Sequence, residues 1–329
     1  MTYKPSLIRS WTSSVSDAVK SIQRYQRGEE IPFPTGIPHV DINLLGGLTP
    51  RKVMTIGGKS GHGKTYIAQQ ITRGVFANNT GRRISLLRCN FEMPVQELVI
   101  RSLQMETGKS YKNILFSAPS PEEAIIFNDV ITREKNPNIF HIPVALSPDE
   151  FYDEVSLFLE QHTQDELVIV EVDHCSLIKD SGDKKKAVDA LVDKVLLLKQ
   201  QYDNVFFILI AQLNRAIEER TVITELAPRT SDIYQSSTME FASDLILISH
   251  MPFKLGFQRY LAVDRVNYAH LVDFFEEGNA AWASLKTYKT VFYHYVKHRQ
   301  SQEEPDIFAE CFGVPQEKRY TSTGQQLKF

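Results

Sequence analysis

Apolar residues in this chain fall into short unbroken runs, separated by stretches with a helical period. "KVMTIGG" from Lys52, "ISLLRCNFE" from Ile84, "NIFHIPVAL" from Asn138, "ELVIVEVD" from Glu166, "NVFFILIAQLN" from Asn204 and "SDLILIS" from Ser243 read as strands buried on both faces. "TVFYHYVKHR" from Thr290 alternates as a seventh strand. Between the strands, helices are predicted over 64–79, 93–108, 147–162 and 184–202, with a weaker one over 120–134. Ser147 and Glu150 have the spacing of a capping box. Repeated strand–helix alternation predicts an α/β fold, a mostly parallel twisted sheet with helices on both faces.

Ahead of the first strand the pattern differs. Val15, Ala18, Val19, Ile22 and Tyr25 form one stripe of a helix that stops at Gly28. A single helix cannot build a core of its own, so the stripe must pack on its own body or on another subunit. Residues 1–30 are thus set apart from a main domain expected over 31–312. Residues 313–329 read as a polar, loosely ordered tail.

Composition narrows the class only a little. At 329 residues, with 42% hydrophobic and 23% charged positions, the chain is long enough for a large core. No apolar run is long enough to span a membrane and no signal peptide follows Met1, so the expected location is cytoplasmic. Cys89, Cys175 and Cys311 are isolated; His174 adjoins Cys175, but neighbours on a strand point to opposite faces and make no metal pair. A net charge of −3 argues against a whole-surface duplex binder, and leaves open nucleic acid gripped by a few loops.

The candidate chemistry begins where the first strand ends. Gly58, Gly63, Lys64 and Thr65 fit G-x-x-x-x-G-K-[ST], placed between a predicted strand and a predicted helix. Glycines let backbone N–H groups curl around phosphate oxygens, and the helix N-terminus favours their negative charge. Gly58, Ser60, Gly61, His62, Gly63, Lys64, Thr65 and Tyr66 are thus the expected ATP-binding stretch. Lys64 is to reach the β- and γ-phosphates and Thr65 to ligate Mg²⁺. Asp173 ends a strand, where a carboxylate serves the same Mg²⁺. Glu171 shares its face by the period of two, and reads either as a partner of Asp173, a reserve base or a partly exposed edge position. Glu92 closes the second strand, where a carboxylate is able to polarise the attacking water.

In combination, "FEMPVQELVIRSL", "LVIVEVD", "ILIAQLNR", "EFASDLILIS" and "VKHR" resemble, in order and spacing, the DnaB-like replicative helicases. These are hexameric RecA-type motors of bacteria and their phages. "PTGIPHVDINLLGGLTPRKVMTIGG" is similar to the start of their ATPase domain, so the resemblance covers roughly 34–312. It implies a RecA-like P-loop NTPase, with Glu92 as catalytic glutamate and Asp173 as the Mg²⁺-associated acid. It further implies that Gln212 links the γ-phosphate to DNA-binding loops, and that Lys297 and Arg299 enter a neighbouring subunit's nucleotide site.

Two loops that line the pore in the family correspond here to "KDSGDKKKA" and "ERTVITELAPRTSDIYQSSTMEF". Lys184, Lys185 and Lys186 are DNA-phosphate partners or a solvated charge run, and Tyr234, where the family carries a basic contact, is a candidate to stack on a base. Against the family's pattern, residues 1–30 are expected to be a linker helix without the separate N-terminal domain, and 250–289, longer than the family's short connection, an elaboration at the domain edge. The implied protein is an ATP-dependent, ring-shaped helicase of phage or mobile-element type. It would move 5′→3′ on single-stranded DNA, with a primase or helicase loader as partner. A RecA-like recombination or loading ATPase and a KaiC-like regulatory ATPase without DNA are the alternatives.

Overall fold

The computed structural model describes residues 10–179, 182–221, 225–234, 236–255, 259–263, 271–276, 290–299, 307–311, 319–320 and 326–327. The six buried runs become β1 (Lys52–Gly58), β2 (Ile84–Asn90), β3 (Ile139–Ile142), β4 (Leu167–Asp173), β5 (Val205–Gln212) and β6 (Leu245–His250). The elaboration contributes β7 (Arg259–Val263) and β8 (Leu271–Glu276), an antiparallel pair outside the main sheet, while 277–289 lies outside the described residues. The alternating run is β9 (Thr290–His298), followed by β10 (Ile307–Cys311), β11 (Arg319–Tyr320) and β12 (Gln326–Leu327). Two residue pairs of the polar tail are thus strand, adding a short edge that periodicity cannot signal.

Among the described residues the sheet order is β12-β11-β10-β9-β6-β1-β5-β4-β2-β3. From β6 to β3 all neighbours are parallel; from β6 outward they are antiparallel. The helices are α1 (Trp11–Gln26), α2 (Pro38–Asn43), α3 (Lys64–Asn78), α4 (Val95–Thr107), α5 (Tyr111–Phe116), α6 (Pro121–Glu134), α7 (Pro148–Gln161), α8 (Lys184–Gln201) and α9 (Ser236–Ala242). The Ser147–Glu150 capping box at α7 is formed as expected, and Ser120 with Glu123 forms a second at α6.

Two apolar clusters, one on each face, explain why the central strands β1, β5, β4 and β2 are apolar, whereas edge strand β3 is only partly buried. Phe206, Ile208 and Ile210 of β5 face α2 and α3, whereas Phe207 and Leu209 face α7, α8 and α9. On α8, Val188, Leu191, Val192, Val195 and Leu198 are buried, each contributing about 1.5–3 kcal/mol relative to exposure. α3 is held close to the preceding chain: a Cβ at Gly74 would lie 1.8 Å from the Thr35 carbonyl oxygen. In contrast, α1 has no buried residue, and Trp11, Val15, Val19, Ile22 and Tyr25 are all exposed.

Sheet order positions the chemistry. β1, β5, β4 and β2 are successive neighbours running the same way, so the loops leaving their C-terminal ends emerge side by side.

Candidate nucleotide and DNA site

β1 delivers the chain directly into the phosphate loop. At Gly58 an added Cβ would sit 2.7 Å from the Ser249 carbonyl oxygen and 2.8 Å from Lys64 Cγ, so only glycine fits there. Gly61 and Gly63 have φ of +73° and +89°, and the left-handed Gly63 is the N-cap of α3. Ser60 and Gly61 are exposed at the loop's crest. His62 turns its ring inward, where Nδ1 accepts from the Met251 N–H at 3.2 Å and burial lowers its pKa to about 3. Tyr66, one turn into α3, accepts a hydrogen bond from Gln70 at 2.7 Å.

Lys64 is buried and donates to the Lys59 carbonyl at 3.0 Å. Burial pulls its ammonium down to about 8 from an ordinary 10.5, with Asp173 and Glu92 acting in the opposite sense. A triphosphate favours the charged form, so above about pH 8 binding must take up a proton. ATP affinity should be level up to that pH and then fall by about tenfold per unit, whereas an ordinary lysine would keep it level to about 10. A titration of binding between pH 7 and 10 checks this.

Thr65 Oγ1 donates to Asp173 Oδ2 at 2.8 Å, bringing the two expected Mg²⁺ residues together across α3 and β4. Asp173 Oδ1 is buried and accepts no hydrogen bond from protein, and burial raises the carboxyl to about 6. An unsatisfied buried oxygen beside a threonine hydroxyl suits a divalent cation, which would hold Asp173 ionised. Residues Thr65 and Asp173 fit Mg²⁺, and the loop with Lys64 fits a nucleoside triphosphate.

Glu92 follows β2, half-exposed, its amide facing Asn90 Oδ1 at 3.4 Å. Gln212 ends β5, two strands away. Between them stands His174, whose Nε2 lies 3.9 Å from Glu92 Oε2 and 3.3 Å from Gln212 Nε2, while Nδ1 meets Ser176 Oγ at 2.7 Å. Burial lowers the pKa of this imidazole. Sequence reasoning considered His174 only as a metal ligand. Its signal was adjacency to the strand-end aspartate, and its partners are distant in sequence.

Glu171 is neither at an edge nor exposed. It is buried in the central strand β4, paired with Arg88 Nε at 3.8 Å across the register of β2 and β4. Arg88 also reaches Glu134 at 3.4 Å and Thr72 Oγ1 at 3.4 Å. Burial, partly offset by Arg88, raises Glu171 to about 7. Its pairing tethers β2 to β4 beneath the site and leaves Glu92 as the carboxylate beside His174.

Lys297 and Arg299 are brought together but away from this cluster. Lys297, half-buried with a lowered pKa caused chiefly by burial, donates to the Glu240 carbonyl. Arg299 donates to the Phe241 carbonyl at 2.7 Å and lies 3.6 Å from Asp244 Oδ1. Because β9 runs antiparallel to β6, His298 pairs with Leu245, and Leu245 in turn with Met54 near the start of β1. The phosphate loop leaves the other end of β1, roughly 15–20 Å away at about 3.3 Å per residue.

The loop lysines and Tyr234 sit on the side of the sheet that carries the phosphate loop. Lys184 opens α8 and donates to the Ile178 carbonyl at 3.2 Å; Lys185 and Lys186 are exposed beside it. Tyr234 is 45% exposed, and its amide donates to the Gln212 carbonyl at 2.8 Å. Residues 180–181, 222–224 and 235 of the two predicted pore loops lie outside the described residues. Among the described residues no group of His, Cys, Asp or Glu is arranged to hold a metal by itself, Cys89 and Cys175 are free and buried, and no helix is long and apolar enough to cross a membrane.

A strand entering a left-handed glycine loop, a lysine and threonine opening the next helix, and a strand-end aspartate bonded to that threonine define a P-loop NTPase with a RecA-like sheet. The chain belongs to the DnaB-like helicase C-terminal domain family, whose family model matches residues 33–258, more than half of its length. Members of this family are ATP-driven DNA helicases, and the chain is a hydrolase of that class. Among solved structures, the ATPase domain of a phage DnaB-like replicative helicase superposes with a TM-score of 0.65 at 18% identity, over 89% of this chain and 94% of that one. A second DnaB-like replicative helicase, described with its interactions with primase, superposes with a TM-score of 0.65 at 17% identity. That match covers 92% of this chain and 64% of the other. No curated protein sequence matches the chain.

Proposed function

We propose that this chain is the motor subunit of a ring-shaped replicative helicase, most simply a hexamer, that hydrolyses ATP to move along single-stranded DNA. In this reading Lys64 and Thr65 hold the triphosphate and Mg²⁺ with Asp173, and Glu92 positions the attacking water. Gln212 reports the γ-phosphate state to the loops that carry Tyr234 and Lys184 to Lys186.

The observation that carries the reading is the separation of Lys297 and Arg299 from their own phosphate loop by the length of β1. A cation pair so placed serves a phosphate only when a second subunit brings its loop to that end of the sheet. Hydrolysis then depends on assembly. Two further features support it. Lysines 184–186 occupy the first turn of α8, where the helix macrodipole disfavours cations, so helix stability does not account for them and an anionic strand does. Among the described residues the apolar stripe of α1 stays exposed, which fits residues 1–30 as a linker docked on the next subunit around a ring of 31–312 domains.

Mass measurement of the full chain with an ATP analogue and single-stranded DNA should give a closed oligomer, and a forked duplex should be unwound with ATP. ATP turnover stimulated by DNA without strand displacement would favour a recombination or loading ATPase. Turnover indifferent to DNA would favour a regulatory ATPase. Primase and loader contacts follow from the reading as partners to test in the same assay.

A further inference from the structure

Tyr234, Gln212, His174 and Glu92 form one continuous path from an exposed loop aromatic to the carboxylate proposed to activate water. The first link is backbone: the Tyr234 amide donates to the Gln212 carbonyl at 2.8 Å, the neighbouring Asn214 amide donates to the Asp232 carbonyl at 2.8 Å, and Leu213 pairs with Ile233. Movement of the Tyr234 segment is therefore applied directly to the end of β5. The second link is the Gln212 amide against His174 Nε2 at 3.3 Å, and the third is the same nitrogen facing Glu92 Oε2 at 3.9 Å. One atom of one ring separates the two carriers of the proposed signal.

The ring is held so that Nε2 bonds Gln212 while facing Glu92. It is buried, and its other nitrogen is occupied by Ser176 Oγ at 2.7 Å. In the tautomer with Nδ1 protonated, Nδ1–H donates to Ser176 and Nε2 accepts from Gln212; with the Gln212 amide turned over, Nε2–H donates to it instead. Either arrangement makes the placement of Nε2, and hence of the group facing Glu92, depend on how Gln212 is oriented.

We infer that His174 is a positioning residue that sets Glu92 against the attacking water and ties that placement to Gln212, so that single-stranded DNA at the Tyr234 loop accelerates hydrolysis. The inference rests on the helicase reading above. Contact carries it: two hydrogen bonds and one 3.9 Å approach join the groups through a buried ring, and a side chain packed on all sides passes small displacements to its neighbours.

Atom-specific substitutions test it in the full chain. His174→Phe keeps ring volume and removes both nitrogens. His174→Asn keeps a polar group near Nδ1 and Ser176 but leaves nothing at Nε2, whereas His174→Gln reaches the Nε2 position. Turnover and KM for ATP are measured with and without oligodeoxythymidylate, and nucleotide binding is measured separately to confirm a folded pocket.

His174→Phe and His174→Asn should lose on the order of 10- to 100-fold in DNA-stimulated kcat, with KM for ATP little changed, and the stimulation factor should collapse towards one. His174→Gln should recover a substantial part. Combining His174→Phe with Gln212→Leu should cost no more than the worse single change, since the two act in series. A wild-type stimulation factor in His174→Phe overturns the inference. So does an active His174→Asn beside an inactive His174→Gln, which would assign the role to Ser176, or fully additive losses in the double variant. If the wild-type enzyme hydrolyses ATP without responding to DNA, the helicase reading fails, and additivity of the basal rates still decides whether His174 positions Glu92 through Gln212.

Discussion

Glutamine in place of Glu92 is expected to leave ATP bound and unhydrolysed. The substitution keeps the size of the side chain and its room beside His174, and removes only its basicity. General-base assistance is worth about 10²- to 10⁴-fold, or roughly 3–5 kcal/mol of barrier, and that is the expected loss in kcat. Binding of ATP should be unchanged, because in the proposed site the phosphates fall to the loop and Lys64. Alanine at Lys64 should show the opposite division, losing affinity and turnover together, since it removes the one buried ammonium of the loop. Glu171→Gln separates the buried carboxylate of β4 from Glu92. Glu171 faces Arg88 and not the loop, so its replacement should leave most of kcat and act on stability through the Arg88 pair. Equilibrium binding and single-turnover hydrolysis of the three variants check the assignment. Near-normal hydrolysis by Glu92→Gln together with loss in Glu171→Gln would move the base to β4.

Those assignments were legible in sequence to different depths, for physical reasons. Most strands were visible because a parallel sheet covered on both faces demands unbroken apolar runs; six such runs became β1 to β6, and the alternating run became the antiparallel β9. The phosphate loop was visible because close backbone approach restricts Gly58, and positive φ restricts Gly63, to glycine. What escaped depends on pairing between distant segments. Glu171 resembled an exposed edge residue because its partner Arg88 is eighty-three positions earlier, brought opposite only by the β2–β4 register. His174 gained its neighbours only when β2 and β5 came to flank β4. Short elements escaped as well: α2 and α5 have six residues each, and β11 and β12 two each, too few for a period to show. The remoteness of Arg299 from its own phosphate loop was also invisible, since it follows from the antiparallel turn of β9 onto β6.

That remoteness makes Arg299→Ala the substitution with the largest predicted effect for its small structural cost. Arg299 is itself exposed and contacts the Phe241 carbonyl and the buried Asp244 in its own subunit. Loss of the guanidinium leaves Asp244 with Lys199 at 3.0 Å, Lys52 at 3.7 Å and the Val53 amide at 3.0 Å, so the fold and the ring should survive. Turnover should not. An arginine supplied to the transition state of phosphoryl transfer is worth on the order of 10³-fold or more, about 4 kcal/mol, whereas a solvated surface arginine is worth almost nothing. Complementation then identifies which subunit the side chain serves. Arg299→Ala subunits retain an intact phosphate loop, and Lys64→Ala subunits retain an intact Arg299; each alone should be inactive. In a mixed ring, some interfaces join the loop of the first to the arginine of the second, and part of the activity should return. The yield should follow the mixing ratio, with its maximum where unlike neighbours are most frequent. Mixed rings demonstrated by mass that still hydrolyse no ATP would remove the in-trans role, and with it the reason for a motor built as a ring.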